Sequence, residues 1–344
     1  MKSALLLIPC LALAAGGAMA DDIRVLNWQG YGTDIDWSVK AFAEATGHKV
    51  IHEYFNSEQE MLTKLRTNPG AYDVVMINVA FSPQAQAEGL IAPVDTSQIP
   101  HYGGITANFT ETPSLNADGQ VYGVPWSWGL TSFAVSTQAF PTPPDTLQVF
   151  WDPEHKGRVS IRDDAVEAVQ FGALASGQNI NDITDMTAVK DKLTALMPQI
   201  RTFWSSENDW NQYMAAGEFD LATYWSGSAS RSAELGLPIA FVVPQEGAIG
   251  WLDSLSIPAS STHKAAAAQF INWMIDPDFY VKWAEDGAPA SANGQAAAAL
   301  PDGAFNKRVL GDPQVVARVQ FQAPITDEQR GSYLKLWQDL KAAQ

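Results

Sequence analysis

The chain has 344 residues, with 21 basic against 38 acidic side chains and a formal net charge of −17. That charge repels nucleic acids and anionic membrane surfaces and attracts cations, so it argues against a nucleic-acid-binding protein, although solubility alone would also explain it. A chain of this length exceeds what a single core usually organises, which predicts two lobes.

Residues 1–20 have the pattern of a cleavable export signal. Lys2 supplies a charged start, residues 4–13 are apolar, and residues 18–20 (Ala-Met-Ala) form a small-x-small cleavage site. We therefore expect a periplasmic mature chain that begins at Asp21. The single cysteine, Cys10, lies within this segment, so the mature chain would hold no disulfide and no thiolate metal site. No later window has the roughly 18 consecutive apolar residues of a membrane span, so we expect no membrane insertion.

The first part of the mature chain alternates strand and helix patterns. Apolar, β-prone segments predict three strands, at residues 23–28, 50–55 and 72–77. Helical spacing before a glycine stop at Gly47 predicts a helix at residues 36–45. The capping box Ser-Glu-Gln-Glu at residues 57–60 predicts the start of a second helix, and a third, short helix is predicted up to Gly89. This order is typical of a mainly parallel sheet covered by helices.

A second α/β series follows a strand predicted at residues 121–128. Its further strands are predicted at 158–161 and 220–224, and its helices at 167–174 and 185–197. The chain ends with two strong helical patterns, at 263–275 and from Thr326, whose Thr-x-x-Gln start is a capping box. The second series implies a second lobe.

Tryptophan is frequent, with 12 residues, and several stand in polar or glycine-flanked stretches rather than in helical stripes. Those are Trp28, Trp126, Trp128, Trp225 and Trp251. In open α/β sheets ligands bind beyond the carboxyl ends of the strands, where such rings would face a crevice. Packing in the core is the alternative, and it accounts better for the tryptophans within helical patterns, Trp37, Trp273, Trp283 and Trp337.

Acidic residues accompany these rings. Trp251 and Asp253 alternate along a predicted strand, which places the indole and the carboxylate on one face. Asp163, Asp164 and Glu167 stand at a strand-to-helix junction, where helix capping is the alternative role. A cation over an indole gains about 0.5–2 kcal/mol, but a buried ammonium also needs an anionic partner. Rings and carboxylates together predict a site for an amine.

Enzymatic motifs are weak by comparison. The five histidines form no HExxH or similar cluster, and the sequence has no Gly-x-Ser-x-Gly elbow, Walker loop or dinucleotide fingerprint. Asp164 and Glu167 have the residue types of a glycoside-hydrolase pair, without further support in the sequence. We therefore expect a protein that is not an enzyme and that uses no cofactor or metal.

Six short motifs follow one another along nearly all of the mature chain. They are residues 25–31 (VLNWQGY), 70–75 (GAYDVV), 125–129 (PWSWG), 163–167 (DDAVE), 225–229 (WSGSA) and 250–254 (GWLDS). Each is weak alone, but the ordered set resembles the periplasmic spermidine/putrescine (polyamine) binding proteins of ABC importers, within the bacterial extracellular solute-binding group.

The resemblance implies the type II periplasmic binding protein fold, an α/β architecture with a mainly parallel sheet flanked by helices in each of two lobes. We expect residues 21–130 and 252–300 in one lobe and residues 131–251 and 301–344 in the other. It also implies the substrate-binding component of an ABC importer, a monomer that closes around a small cationic amine and meets an inner-membrane permease.

The family's ligand-binding residues can be carried over to matching positions. The resemblance implies aromatic walls from Trp28, Tyr31, Trp225 and Trp251, ammonium-binding carboxylates from Asp164, Glu167 and Asp253, and an amide from Gln322. Weaker candidates are Asn78, Phe81 and Trp128.

Two departures from the family pattern affect the expected ligand. Gly30 stands where the family has an acid, and residues 78–81 (Asn-Val-Ala-Phe) stand where it has small polar or tyrosine side chains. We therefore expect the three carboxylates to hold one strongly cationic end of the ligand, and the end near Asn78 to be roomier and less polar.

Two alternative functions stay open. The same fold would serve a different solute, such as a quaternary ammonium compound, which favours aromatic cages, or an aminophosphonate, which would need basic or amide donors that are scarce in these motifs. An enzyme built on this fold is the other alternative, and a turnover assay would separate it from a binding protein.

Overall fold

A computed structural model describes residues 22–343, so the predicted export signal at residues 1–20 lies outside the described residues. The strands are β1 Ile23–Asn27, β2 Val50–Tyr54, β3 Val74–Asn78, β4 Ile91–Ala92, β5 Asn116–Ala117, β6 Gln120–Val121, β7 Val124–Ser136, β8 Val159–Arg162, β9 Ile200–Trp204, β10 Leu221–Trp225, β11 Ile239–Val242, β12 Ala248–Pro258, β13 Ala290–Ser291 and β14 Val319–Phe321. The α-helices are α1 Asp36–Thr46, α2 Glu58–Thr67, α3 Ser82–Ala87, α4 Ala107–Thr110, α5 Ala165–Ala175, α6 Met186–Leu196, α7 Glu207–Ala215, α8 Ser226–Glu234, α9 Lys264–Met274, α10 Pro277–Ala284, α11 Gly294–Ala299, α12 Pro313–Val316 and α13 Asp327–Ala342.

The main sheet has 12 strands, and its central path runs β2-β1-β3-β12-β7-β10-β8-β9. Strands β1, β2 and β3 are parallel to one another, and so are β8, β9 and β10. The long strands β7 and β12 are antiparallel to each other and lie between the two parallel sets. The predicted parallel arrangement is confirmed within each set, and the antiparallel pair is what joins the sets.

Two large cores flank this central pair. One core contains side chains from β1, β3, α2 and α9, and the other contains side chains from β8, α5, α6 and α13. Strand β7 contributes to both, with Val124 and Leu130 in the first core and Phe133 and Val135 in the second. A single long strand therefore runs from one core into the other. A site between the two cores would lie along β7 and its partner β12.

Local signals place the helix ends close to their predicted positions. Gly47 ends α1 with a left-handed φ of 80°, a conformation that glycine adopts without strain. The capping box at Thr326 is complete, because Thr326 and Gln329 bond each other's backbone N–H. The box at Ser57 is half formed, since Ser57 accepts from the Glu60 N–H but the Glu60 carboxylate accepts from Asn56. Among residues 22–343, no helix is both long and apolar enough to cross a bilayer.

Candidate functional site

The predicted site residues follow one face of the β7–β12 pair. Asp253 lies opposite Ser127, and Trp251 lies opposite Gly129. Alternate residues of a strand share a face, so Ser127, Gly129 and Thr131 form a line with these partners. At about 3.4 Å per residue the line is about 14 Å long from Ser127 to Thr131.

A polar cluster surrounds Asp253 at one end of this line. The Tyr31 hydroxyl donates to Asp253 Oδ2 over 2.8 Å and lies 3.1 Å from Ser127 Oγ. Asn78 Nδ2 donates to Asp253 Oδ1 over 2.9 Å. Asp253 is 7% exposed, and burial raises its pKa to about 6, against the opposing effect of the hydrogen bonds from Tyr31 and Asn78. These donors are neutral, so a bound ammonium would supply the positive charge that they lack.

Asn27 shapes the loop that carries Tyr31. Its buried Nδ2 donates to the Tyr31 carbonyl and to Thr33 Oγ1, each over 2.9 Å. Gly30 in this loop has a left-handed φ of 74°, and its N–H donates to Asp34 over 2.8 Å. An acidic side chain at Gly30 would be strained in that conformation, so the turn accounts for the glycine.

Trp28 and Phe81 lie near the carboxyl ends of β1 and β3. Trp28 is half-buried, with its ring edge-on to Phe55 at a centroid distance of 4.7 Å. The guanidinium of Arg330, from α13, lies 4.7 Å from the centroid of the Phe81 ring. Both rings are thus at the same edge as Asn78, and the Arg330 side chain of the C-terminal helix lies over Phe81.

The indole of Trp251 lies against Gly129, in the middle of the line. A Cβ atom added to Gly129 would stand 2.8 Å from Trp251 Cη2 and 2.9 Å from Ser226 Oγ. Ser226 Oγ accepts the Leu130 N–H over 3.1 Å, which fixes the start of α8 against β7. Gly129 is therefore a site residue by its lack of a side chain, a role that sequence reasoning did not assign to it.

Replacing Gly129 by alanine should displace the Trp251 indole, because the added methyl group would overlap the ring. We expect amine binding to weaken by about 1–2 kcal/mol and the unfolding free energy to fall by a similar amount, as overpacked cores do. Titration calorimetry and denaturant unfolding measure the two effects. The control is Gly331→Ala on α13, where a Cβ meets nothing within 4 Å. Unchanged binding by Gly129→Ala would remove Trp251 from the ligand's surroundings.

An ion pair occupies the other end of the line. Arg162, the last residue of β8, donates through Nη1 to Glu167 Oε1 over 2.7 Å. Its guanidinium carbon lies 4.8 Å from the centroid of the Trp225 ring, and Nη1 lies 3.9 Å from Asp164 Oδ2. Trp225 in turn is opposite Thr131 in the β10–β7 pairing. Sequence reasoning did not single out Arg162, so this end is less negative than expected.

Glu167 and Asp164 have different roles at this end. Asp164 caps α5, since its Oδ1 accepts the N–H groups of Val166 and Glu167. The capping alternative therefore describes Asp164 correctly. Burial raises the pKa of Glu167, and the nearby Arg162 opposes that shift. A hydrogen bond from the Trp225 side chain also lowers the pKa of this carboxyl, and Glu167 Oε2 is shielded from solvent.

Gln322 lies next to the line but is bonded within the protein. Its Nε2 donates to Gln170 Oε1 over 2.7 Å, and its backbone N–H donates to the Gly250 carbonyl over 2.8 Å. Both bonds tie the segment after β14 to α5 and β12. A ligand would meet Gln322 through its amide oxygen.

Trp128 is not brought into the site. It is 7% exposed, donates through Nε1 to the Ser291 carbonyl over 3.1 Å, and packs against Phe109 and Phe321. Its position next to Ser127 on β7 explains this, because neighbouring residues of a strand point to opposite faces. The interpretation of Trp128 as a ligand residue is wrong, and it is a core residue.

The three carboxylates do not gather at one end. Asp253 lies at the Ser127 end, and Asp164 and Glu167 lie near Thr131, about four residues or 14 Å along β7. The expectation that the three carboxylates hold one end of the ligand together is therefore wrong. We also expected the end near Asn78 to be less polar, but Asn78 itself donates a hydrogen bond to Asp253 there.

Periplasmic amine-binding proteins are similar to this chain over most of its length. The family model for bacterial extracellular solute-binding proteins matches residues 37–308. Spermidine/putrescine-binding periplasmic proteins of Salmonella typhimurium and Escherichia coli K12 are each 32% identical to the chain, over 98% of it and 97% of theirs. The putrescine-binding periplasmic protein PotF of Escherichia coli K12 is 25% identical over 82% of this chain and 81% of its own length.

Solved structures share the fold. The spermidine/putrescine ABC transporter substrate-binding protein PotD from Streptococcus pneumoniae matches with a TM-score of 0.84 and 24% identity, over 94% of this chain and 99% of that one. A GABA receptor structure matches with a TM-score of 0.75 and 18% identity, over 93% of this chain and 97% of that one. These likenesses show that the chain has the two-lobe α/β fold of periplasmic binding proteins. With the sequence matches above, the chain belongs to the bacterial extracellular solute-binding protein family.

Proposed function

We propose that this protein is the substrate-binding component of an ABC importer and captures a polyamine of the spermidine/putrescine class in the periplasm. The observation that carries the proposal is Asp253, a buried carboxylate with neutral hydrogen-bond donors, set beside an indole on one face of β12. The names of the relatives, spermidine/putrescine-binding periplasmic proteins, support the same ligand class and the same compartment.

The length of the site fits an extended amine. At about 1.25 Å per bond along an extended chain, spermidine spans about 11 Å between its end nitrogens and putrescine about 6 Å. The line from Asp253 to Glu167 is about 14 Å at strand spacing, so the longer amine would bring one end nitrogen near each acidic end. Trp251 would pack on the methylenes between, and a diamine would engage one acidic end at a time.

We further propose that residues 21–130 and 252–300, and residues 131–251 and 301–344, are the two lobes that close on the ligand. The antiparallel strands β7 and β12 would act as the hinge. Arg231 of α8 donates to the Gly287 carbonyl over 2.7 Å, a contact that closure would form between lobes. Leu310 packs in the first core, so the last segment would touch both lobes. After export and removal of residues 1–20, the closed monomer would dock on an inner-membrane permease.

The protein would bind its ligand without acting on it as an enzyme. Asp164 is used as a helix cap and Glu167 is paired with Arg162, so neither is placed as a free acid or base. Quaternary ammonium compounds suit the site poorly, because their nitrogen carries no N–H group to donate to the carboxylate oxygens of Asp253 and Glu167.

A second candidate ligand is an amine that also carries a carboxylate. The observation in its favour is Arg162, a cation at the end of the line opposite Asp253. Such a ligand would place its ammonium at Asp253 and its carboxylate at the guanidinium, in competition with Glu167.

Native mass spectrometry of the purified protein, followed by calorimetry, tests the function. We expect a retained polyamine, and one-to-one binding of spermidine or putrescine with a dissociation constant of about 1 μM or tighter, equivalent to about −8 kcal/mol. Tetramethylammonium should bind far more weakly, and 4-aminobutyrate tests the carboxylate-bearing class. If neither polyamine binds at millimolar concentration, the polyamine function is wrong.

A further inference from the structure

A short loop, residues 287–289, joins α10 to β13 and is anchored in the first core. Ala288 is buried there, and its carbonyl accepts from Asn306 Nδ2 over 2.7 Å. Strand β13, which follows directly, pairs with β7 at Ser127. The loop is therefore fixed beside the Ser127 end of the candidate site.

Arg231 reaches this loop from α8, a helix that packs in a different part of the protein. Ala229 of α8 is buried in a separate cluster with Trp204 and Tyr224, from β9 and β10. From that side Arg231 Nη1 donates to the Gly287 carbonyl over 2.7 Å. A Cβ atom added to Gly287 would overlap Arg231 Cγ and stand 3.2 Å from Arg231 Cδ. The arginine side chain therefore packs directly on the glycine as well as bonding its carbonyl.

Glu207, the first residue of α7, fixes the direction of the Arg231 side chain. Arg231 Nε donates to Glu207 Oε1 over 3.0 Å, and Arg231 Nη2 donates to Glu207 Oε2, which makes a bidentate pair. Ser228 Oγ donates to the same Oε2 over 2.6 Å. Because the guanidinium is already held on this side, its Nη1 reaches Gly287 with little further loss of side-chain entropy.

We propose that Arg231 is a latch, bonded to Gly287, that holds the two lobes closed on the ligand and sets how slowly the ligand leaves. The inference rests on the proposed function and deepens it, because the bond crosses the lobe division proposed above. Helix α8 begins directly after Trp225, and loop 287–289 leads into β13 beside Ser127. The latch therefore joins elements that adjoin both ends of the site.

The latch acts on one direction of the binding reaction. The lobes cannot reopen without breaking the bond between Arg231 and Gly287. The encounter of the ligand with the open protein does not involve that bond. Loss of the latch should therefore raise the dissociation rate constant and leave the association rate constant nearly unchanged.

The test compares Arg231→Met with Arg158→Met. Arg158 has the same bonding pattern, since it donates to both carboxylate oxygens of Asp220 and to the Gly217 carbonyl, but all three residues lie within one proposed lobe. Stopped-flow tryptophan fluorescence gives the association and dissociation rate constants of spermidine. We expect Arg231→Met to release spermidine about tenfold faster than the wild type. Arg158→Met should match the wild type in both rate constants.

Glu207→Gln separates the latch from the net charge of the protein. It loosens Arg231 by removing its anionic partner and makes the chain less negative, whereas Arg231→Met makes the chain more negative. A latch predicts faster release of spermidine from both variants. An effect of net charge on a cationic ligand would change the two dissociation rates in opposite directions, and that result would overturn the inference.

Thermal unfolding of the ligand-free variants separates the latch from a structural role. The double variant Arg231→Met, Glu207→Gln leaves no unpaired acid, so it should unfold closer to the wild-type temperature than Arg231→Met and still release spermidine as fast. A lower unfolding temperature with unchanged release would show a structural role only and would overturn the inference. If the wild type binds no amine, the proposed function fails and the latch with it. If the wild type binds and Arg231→Met releases spermidine at the wild-type rate, only the latch is wrong.

Discussion

Replacing Asp253 by asparagine should weaken amine binding by about 2–5 kcal/mol, because the ligand's ammonium would lose its buried anionic partner. The substitution keeps the size of the side chain and an oxygen that can accept from Tyr31. It removes the charge that attracts the ligand. Calorimetry with spermidine measures the loss, and Asp191→Asn, on an exposed position of α6, is the matched control. Equal binding by Asp253→Asn and the wild type would remove Asp253 from the site.

The same substitution should stabilise the ligand-free protein near neutral pH. Burial raises the pKa of Asp253 from 3.8 to about 6, so its contribution to stability is fully present below its unfolded pKa and is lost as the pH rises through about 6. A gap of about two pKa units is equivalent to about 3 kcal/mol. The amide nitrogen that the substitution introduces would face the donor Nδ2 of Asn78, which cancels part of that gain.

That contact does not depend on pH, so we expect the unfolding free energy of Asp253→Asn to rise by about 3 kcal/mol relative to the wild type between about pH 4 and pH 7. Denaturant unfolding across this range measures it. Over about pH 7 to pH 5 the wild type should lose about tenfold in amine affinity as Asp253 takes up a proton, while the variant should not. A stability difference that shrinks with rising pH would contradict the raised pKa.

Replacing Arg162 by methionine should lower the unfolding free energy of the ligand-free protein by about 2–4 kcal/mol, because Glu167 loses its cationic partner in a shielded position. Methionine retains packing on Trp225. The control is Arg201→Met, whose partner Glu218 is solvent-exposed, with side-chain exposures of 56% and 39% for the pair. That control should cost less than about 1 kcal/mol.

Saturating spermidine should stabilise Arg162→Met more than it stabilises the wild type. The ligand's ammonium would take the place of the guanidinium at Glu167, and so repair the loss. Unfolding temperatures with and without spermidine give the comparison. A smaller ligand-induced shift in the variant would show that the amine does not reach Glu167, and that the guanidinium itself contacts the ligand.

Much of the fold can be predicted from local patterns. Gly47 and the Thr326 capping box set helix ends that depend on neighbouring residues alone, and the structure has both where they are expected. Helix α8 is different, because its Ser-Gly-Ser-Ala-Ser start has weak helix propensity. Tertiary hydrogen bonds hold it instead, since Ser226 Oγ accepts from the Leu130 N–H and Arg231 donates to Glu207. No local sequence pattern indicates these bonds.

The candidate site likewise contains residues that a sequence pattern predicts and residues that it does not. The alternation of Trp251 and Asp253 correctly predicts their shared face, and the same rule applied to Ser127 would have placed Trp128 in the core. Arg162 carries no comparable signal. Its partner, Glu167, lies five residues further on, around a strand end, so the importance of Arg162 depends on burial and pairing that a linear pattern does not contain.

The most direct test of this account is a crystal structure of the protein with spermidine bound. We predict an extended amine along β7 over Gly129, its methylenes on Trp251, and one nitrogen within about 3 Å of Asp253. An amine bound elsewhere, or one whose nitrogens all lie away from Asp253, would contradict the account.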